Sequence, residues 1–462
     1  MSALDRGRPP LPGAGGLPRF PAIRRAELPG GSDLLALPLD HVPLVSLELV
    51  LPAGAEHDPP EAGGLATLTA ALLDEGAGGL DAMAIAARIE RTGGYLTSWA
   101  DWDAAYLRAG VLASELDAAL DLLATCALSP DFPPSEVERL RRQRQAEILA
   151  RRDQPAALAD ERLVREVFSG TAYGHPLIGD EESLAQLDRA ALVGFHAAHL
   201  APRQATLVAA GDFDLEHLTA RVASLLAGWG ERPAAPTPSI APRRRSARAI
   251  HVVNRPGAAQ TELRLGHPGI DRRDPDFAVL RVANALLGGK FTSRINLNLR
   301  ERHGYTYGAS SRFGARRGPG PFVVSAAVST EHCGAAAREV IAELERLQGE
   351  PVPEAELAEA RGYLLGVMPY TLETADDWVG RLEEIAVHSL PLDELARHAL
   401  ALAAVTAADV ERAARAHLRP AELTVVAVGP ANDLAPQLEG LGELRVWESD
   451  DRGRPAAQAG QR

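Results

Sequence analysis

The chain has 462 residues, 46% of them apolar, with a net charge of −14 and two cysteines. That length exceeds one ordinary hydrophobic core and calls for about two to four domains, while Cys126 and Cys333 are too few for a disulfide scaffold or a cysteine zinc cluster and read as buried free thiols in a reducing compartment. The acidic balance repels phosphate backbones and excludes nucleic acid as a partner class.

In chain order, the opening "MSALDRGRPPLPGAGGLPRF" puts Pro and Gly where a secretory signal needs an unbroken apolar run. No stretch reaches membrane-spanning length, so a cytoplasmic protein without a membrane partner is expected, with residues 1–20 as a disordered tail. A strand-like run at Leu47 to Leu51 leads to an Asp58-Pro59 turn and an apolar helix within "GGLATLTAALLDEG" (63–76). Hairpin strands follow in "GGYLTSWADWDAAY" (93–106), then helices over Pro134 to Arg151 and Arg189 to His199, then a closing strand. The Pro-rich "GWGERPAAPTPSIAPRRRSARA" reads as a linker over 228–249, with Arg243 to Arg245 as a solvated basic cluster. Beyond it come a strand-like run at Leu263 to Leu265, Asp274-Pro275, and helices over Glu354 to Tyr370 and Ala407 to His417. Residues 450–462 read as a second tail.

The chain says the same thing twice. "HLAPRQATLVAAG" (His199 to Gly211) and "HLRPAELTVVAVG" (His417 to Gly429) match in frame, and the two Asp-Pro turns stand nearly the same distance apart. Near-constant spacing over that span indicates duplication. The predicted fold class is therefore α+β: homologous domains at 21–227 and 250–449, each a mainly antiparallel sheet covered by helices on one face.

Several blocks, in order, carry a resemblance: "GGLATLTAALLDEG", "TAYGHPLIGDEESLAQL" (171–187), "FHAAHLAPRQATLVAAGDFD" (195–214), "PGAAQTELRLG" (256–266), "ANALLGGKFTSRINLNLRERHGYTYG" (283–308) and "AVTAADVERAARAHLRPAELTVVAVG" (404–429). This succession resembles the pitrilysin-like M16 metallopeptidases of the M16B subfamily, over nearly everything between the tails. In that family the first block carries an inverted zinc motif, HxxEH. Overlay places Thr67 and Ala71 on its two histidines, Ala70 on its catalytic glutamate and Glu147 on the third ligand further along. The motif needs two imidazoles at i, i+4 and an intervening carboxylate as general base; a hydroxyl and two methyl groups supply neither. No metal is expected on this chain, and Glu147 is expected to be vestigial and solvated among arginines. The HxxH pair His196 and His199 is matched in the second half only by His417, with Ala414 at the other position, so helical histidines without metal are expected there too.

The family's zinc-free halves reach across with an arginine and a tyrosine in a stretch like RExxGxxY. Here "RERHGYTY" puts Arg300, Gly304 and Tyr307 in register. Ser293 can cap the preceding helix, Gly304 can end it in a left-handed conformation, and Tyr307 falls early in the next strand. A guanidinium and a phenol at a cleft could bind a scissile carbonyl and stabilise the oxyanion formed during hydrolysis. Structural readings compete: an arginine in a last helical turn offsets the dipole, and a strand tyrosine is ordinary core material. Tyr305 is the alternative phenol, because strand alternation sends both tyrosines to one face.

The resemblance implies the zinc-free subunit of a heterodimeric M16B-like peptidase, one half of a clam-shaped pair. Arg300 and Tyr307 would be its catalytic contribution, zinc would sit on a homologous partner with intact HxxEH, and a peptide would be the substrate. Trp99 and Trp102 depart from the small polar pattern of the family's substrate-pairing edge strand, which argues against peptide pairing on this chain's first domain. Alternatives are a structural member, like the core-type subunits of respiratory assemblies, or a peptide-binding escort protein.

Overall fold

The computed structural model describes residues 17–200, 205–227 and 238–448. Most of the expected tails and the first part of the expected linker lie outside those residues. In the first half, strands β1 (Arg24–Glu27), β2 (Asp33–Pro38), β3 (Leu44–Leu51), β4 (Tyr95–Ala100), β5 (Ala105–Leu112) and β6 (Thr206–Gly211) form one sheet in the order β1-β2-β6-β3-β5-β4. In the second, β7 (Ala249–Asn254), β8 (Thr261–Pro268), β9 (Thr306–Phe313), β10 (Pro321–Val328), β11 (Thr424–Gly429) and β12 (Glu443–Glu448) follow the order β9-β10-β8-β11-β7-β12. Five strands match one to one between the sheets, so the duplication read from the repeats is a duplication of fold. The sixth differs: β1 runs antiparallel to β2, whereas β12 runs parallel to β7. Both sheets are mixed, with β2–β6 and β7–β11 parallel and the hairpin side antiparallel.

Helices over Leu65–Ala70, Leu116–Leu128 and Arg189–His199 pack on one face of the first sheet, against Leu47, Leu49, Leu107 and Leu207. Phe277–Leu287, Cys333–Gly349 and Ala407–His417 do the same for the second. The expectation of one covered face is overturned. Each half lends a helix to the far face of the other half's sheet. Pro155–Val167 lays Leu158, Leu163 and Val167 on Val253, Val323 and Val426 of the second sheet. Ala375–His388 lays Trp378, Val379 and Leu382 on Leu35, Val50 and Val208 of the first. The cause lies in the strands: β6 and β11, TLVAAG and TVVAVG, are apolar at successive positions, as a strand buried on both faces must be. Burying each Leu or Val contributes roughly 1.5–3 kcal/mol, so neither sheet is indifferent to losing its cover.

Charge complements the exchange. Glu48 on β3 and Arg264 on β8 occupy equivalent positions, opposite Val208 and Val426 of the neighbouring strands, and carry opposite sign. Arg108 bridges buried Glu48 (2.6 Å) to Glu383 on the lent helix (3.0 Å), while Arg264 binds Asp160 on the helix lent the other way (2.6 Å).

Most helix boundaries follow the sequence reading: Arg189–His199 and Ala407–His417 as expected, and Pro134–Arg152 one residue longer. The helix expected to reach Tyr370 stops at Val367 and tightens into a 3-10 turn over Met368–Thr371, at Pro369. Both cysteines are free and buried, and burial pushes each thiol up to about 12. The linker's basic cluster is more engaged than expected. Arg244 pairs with Glu422, and Arg245 pairs with Glu166 on the lent helix.

Candidate functional site

The helix carrying Thr67, Ala70 and Ala71 is positioned by Asp58. Its carboxylate accepts hydrogen bonds from the backbone N–H groups of Gly64 and Ala66, both 2.8 Å, satisfying helix-start donors that Gly64 at φ +90° cannot reach with a side chain. Thr67 is buried, and its hydroxyl donates toward the carbonyls of Gly64 (3.1 Å) and Leu177 (3.3 Å). Ala70 has no solvent exposure, and Ala71 caps the last turn. Glu147 is exposed on the Pro134–Arg152 helix, 3.1 Å from Arg151 and 3.8 Å from Arg144. A hydroxyl committed to backbone carbonyls, two methyl groups and a carboxylate held by arginines do not fit zinc, whose sites draw three or four protein ligands from imidazole, thiolate and carboxylate.

The helical histidines have structural partners. His196 Nε2 lies 2.9 Å from the Ala127 carbonyl, and burial lowers its pKa. His199 packs its ring at a tilt against Phe195 and His57, with centroids 4.7 and 5.0 Å away. In the second half, ligand atoms of Asp274, Asp276 and His417 converge within 4.8 Å, a constellation the sequence reading missed because an Asp-Pro turn looks like simple punctuation. Arg412 spans both carboxylate oxygens of Asp276 (2.8 and 2.7 Å) and supplies the counter-charge a cation would bring.

Arg300 and Tyr307 sit where the chain passes from helix to the edge strand β9. The helix that starts at Arg294 widens to a π-helical turn over Leu297–Arg302, a form that often marks functional sites. Gly304 then closes it at φ +68°, as expected of its left-handed role. Ser293 holds the N-cap position, but its buried hydroxyl makes no capping bond, so the expected side-chain cap is absent. Arg300 lies 4.7 Å over the ring of Phe291, itself 65% exposed, and 3.3 Å from Glu301. Tyr307 is 87% exposed, and its phenol has no hydrogen-bond partner among the described residues. The two tyrosines do not share a face. Tyr305 precedes the strand and is stacked between His303 (4.9 Å) and His332 (4.6 Å), and a bulge between Thr306 and Ala309 breaks the alternation beyond it. That leaves Tyr307 as the available phenol and adds Phe291, from the quoted "GGKFTS", as a neighbour of the guanidinium.

The tryptophans of the β4–β5 hairpin serve the interior. Trp99 stacks on Tyr106 at 5.1 Å, on the face covered by the lent helix, and Trp102 packs edge-on against Tyr173 at 5.4 Å. The Tyr95 phenol donates to Asp376 (2.6 Å) near the start of that helix.

Comparison with known proteins decides the family. The description "Insulinase (Peptidase family M16)" fits residues 36–181, and "Peptidase M16 inactive domain" fits residues 186–364. The chain belongs to the M16 peptidase family. It is 27% identical to an uncharacterized zinc protease of Mycobacterium leprae, over 79% of this chain and 82% of that one. A namesake from Mycobacterium tuberculosis is 28% identical over 78% and 83%. Among solved structures, an M16 inactive domain from Pseudomonas fluorescens superposes with a TM-score of 0.83 and 28% identity, over 88% of this chain and 98% of that one. A Helicobacter pylori protease reaches 0.84 at 19% identity, over 89% and 100%, which speaks to the fold alone. The second family model begins upstream of β6, so the boundary between the models falls inside the first sheet.

Proposed function

We propose that this M16 member is the zinc-free subunit of a two-chain peptidase, in which Arg300 and Tyr307 bind the scissile carbonyl of a peptide at a site completed by a homologous subunit. Zinc and the HxxEH motif would belong to that partner, and the two chains would close on the peptide like a clam, in the cytoplasm. The observation that carries this reading is the contrast between two places in one chain. Where the family holds its metal, Thr67 and Ala70 are sealed into packing. Where a zinc-free half reaches across, a phenol and a guanidinium stand at the surface, the phenol with no internal bond to break before meeting a substrate. A donor pair of this kind lowers the barrier by hydrogen-bonding charge that develops on the carbonyl oxygen.

The test is co-expression with a homologous chain that retains HxxEH. The pair should copurify and cleave peptides with chelator sensitivity, while this chain alone should cleave none. Chelator-sensitive cleavage by the lone chain would sink the proposal. A stable but inactive pair would favour the scaffold or escort reading.

A further inference from the structure

A cavity of about 140 Å³ lies in the second half, between the Phe277–Leu287 helix, the lent Ala375–His388 helix, the Glu394–Ala404 helix and the 3-10 turn at Met368. It opens beside a shallower cleft that shares Arg272, Phe277, Glu394 and His398 and adds Arg273, Arg397 and the carboxylate of Asp274. Its wall is apolar on one side, with Leu364, Met368, Leu395 and Leu402, and charged on the other.

The charges do not cancel. Arg272, Arg281 and Arg381 line the cavity against two carboxylates, Glu384 and Glu394. Buried Arg272 takes both, Glu394 at 3.0 Å and Glu384 also within ion-pair reach, and lies 3.9 Å over the Phe277 ring. Arg381 reaches Glu384 at 3.3 Å and the Thr371 hydroxyl at 3.2 Å. Arg281 has no carboxylate within ion-pairing distance among the described residues. Crowding by protein lowers its pKa, with Arg381 and Arg272 adding to the effect against Glu384, although the residue as a whole is exposed at the cavity's edge. Burial first, and then Arg272 and Arg281, push His398 down to about 4, so the imidazole is neutral and adds no charge of its own. In a chain of net charge −14, this is a local excess of guanidinium beside an apolar wall.

We propose that the cavity binds a carboxylate on a short apolar body, with Arg281 as its charge partner and Leu364 and Leu402 against its hydrocarbon. A planar fork without a counter-ion is the group that recognises a carboxylate by two parallel hydrogen bonds. Such a ligand could be a free aliphatic acid or the C-terminal residue of a peptide. The site is separate from Arg300 and Tyr307 and stands whether or not the peptidase reading does.

The experiment is calorimetric titration of the full chain, at constant ionic strength and pH 7, with hexanoate and N-acetyl-leucine and with their neutral counterparts 1-hexanol and N-acetyl-leucinamide. Saturable binding of an acid, absent for its neutral counterpart, is expected; whichever acid binds tells the free acid from the chain terminus. Arg281→Gln should raise the acid's Kd about tenfold or more, the loss of a charge-assisted contact, at unchanged melting temperature. Leu364→Trp, which fills the cavity, should abolish it. Equal binding of acid and neutral probe, no saturation by either acid, or an Arg281→Gln titration identical to wild type would each overturn the proposal.

Discussion

The guanidinium of Arg317 lies 3.0 Å from the fully buried carboxylate of Glu56, across the seam between the two halves. Nearby, the Arg317 backbone N–H donates to Asp103 (2.9 Å), which also accepts from the Tyr173 phenol (2.6 Å). Arg316 covers the rings of Trp102 and Tyr173 at 4.4 and 4.6 Å. Asp101 to Asp103 turn the β4–β5 hairpin and Arg316 to Arg317 lie in the β9–β10 connection, the same place in the two copies. Duplication followed by opposite charge has made one hairpin complementary to the other, and the "TAYGHP" block supplies the tyrosine between them.

This seam should be sensitive to alkali. Burial pushes Glu56 up to about 8 from an ordinary 4.5, against the opposing pull of Arg317, and burial pushes Asp58 up to about 7. A carboxyl whose pKa is raised by folding binds more protons in the folded chain, so its contribution is complete below about 4.5 and is lost as pH rises through about 8. The melting temperature should fall as pH rises from about 6 to about 8, and Glu56→Gln should flatten that fall. A variant with the wild-type pH slope would remove Glu56 from the account.

Acid should act through histidine. Burial pushes His251 and His267 down to about 4, so their neutral forms support the fold above about 6.5 and that support is lost as pH drops through about 4. His267→Gln should weaken the acid limb of the stability curve in a calorimetric series and leave the alkaline limb unchanged.

The exchanged helices predict that neither half folds alone. Residues 1–237 expressed by themselves would expose Leu35, Val50 and Val208, now under Trp378 and Leu382. The fragment should be aggregated or lack a cooperative melt, and co-expression with residues 238–462 should restore solubility. Within the intact chain, Leu382→Ala, a second-half substitution at a fully buried position, should cost about 2–5 kcal/mol in denaturant unfolding. A lone first half with a sharp melt would contradict the exchange.

At the proposed carbonyl-binding pair, Tyr307→Phe removes one hydroxyl from an 87% exposed ring. Stability should stay within about 0.5 kcal/mol of wild type, while turnover by the two-chain enzyme should fall roughly 10²-fold, as should that of Arg300→Ala. Unchanged turnover would return both residues to structure.

At the degenerate helix, zinc content of the purified chain should be far below one per chain. Ala70→Glu alone should unfold the chain at a lower denaturant concentration by roughly 3–5 kcal/mol, because the new carboxylate enters a position with no solvent and no partner. A mild effect would mean that the helix can open.

What the sequence determined by itself is what depends on neighbours along the chain. The apolar period of Arg189–His199 and Ala407–His417 marks the extent of those helices, Gly304 can be left-handed because it has no side chain, and the absence of imidazole at Thr67 and Ala71 is read directly. The repeats disclosed two copies of one fold for the same reason. Tertiary structure decided the rest. An amphipathic helix such as Pro155–Val167 records that it has an apolar face, not which sheet will cover it. Ser293 takes the N-cap position with its buried hydroxyl unpaired, and Tyr305 and Tyr307 parted because a bulge opened where β9 joins β10. Local propensity sets the elements through interactions a few residues long; the exchange of helices and the Glu56–Arg317 seam depend on surfaces brought together from opposite halves, and the exposure of Tyr307 on the pairing of two strands, none of which a local pattern encodes.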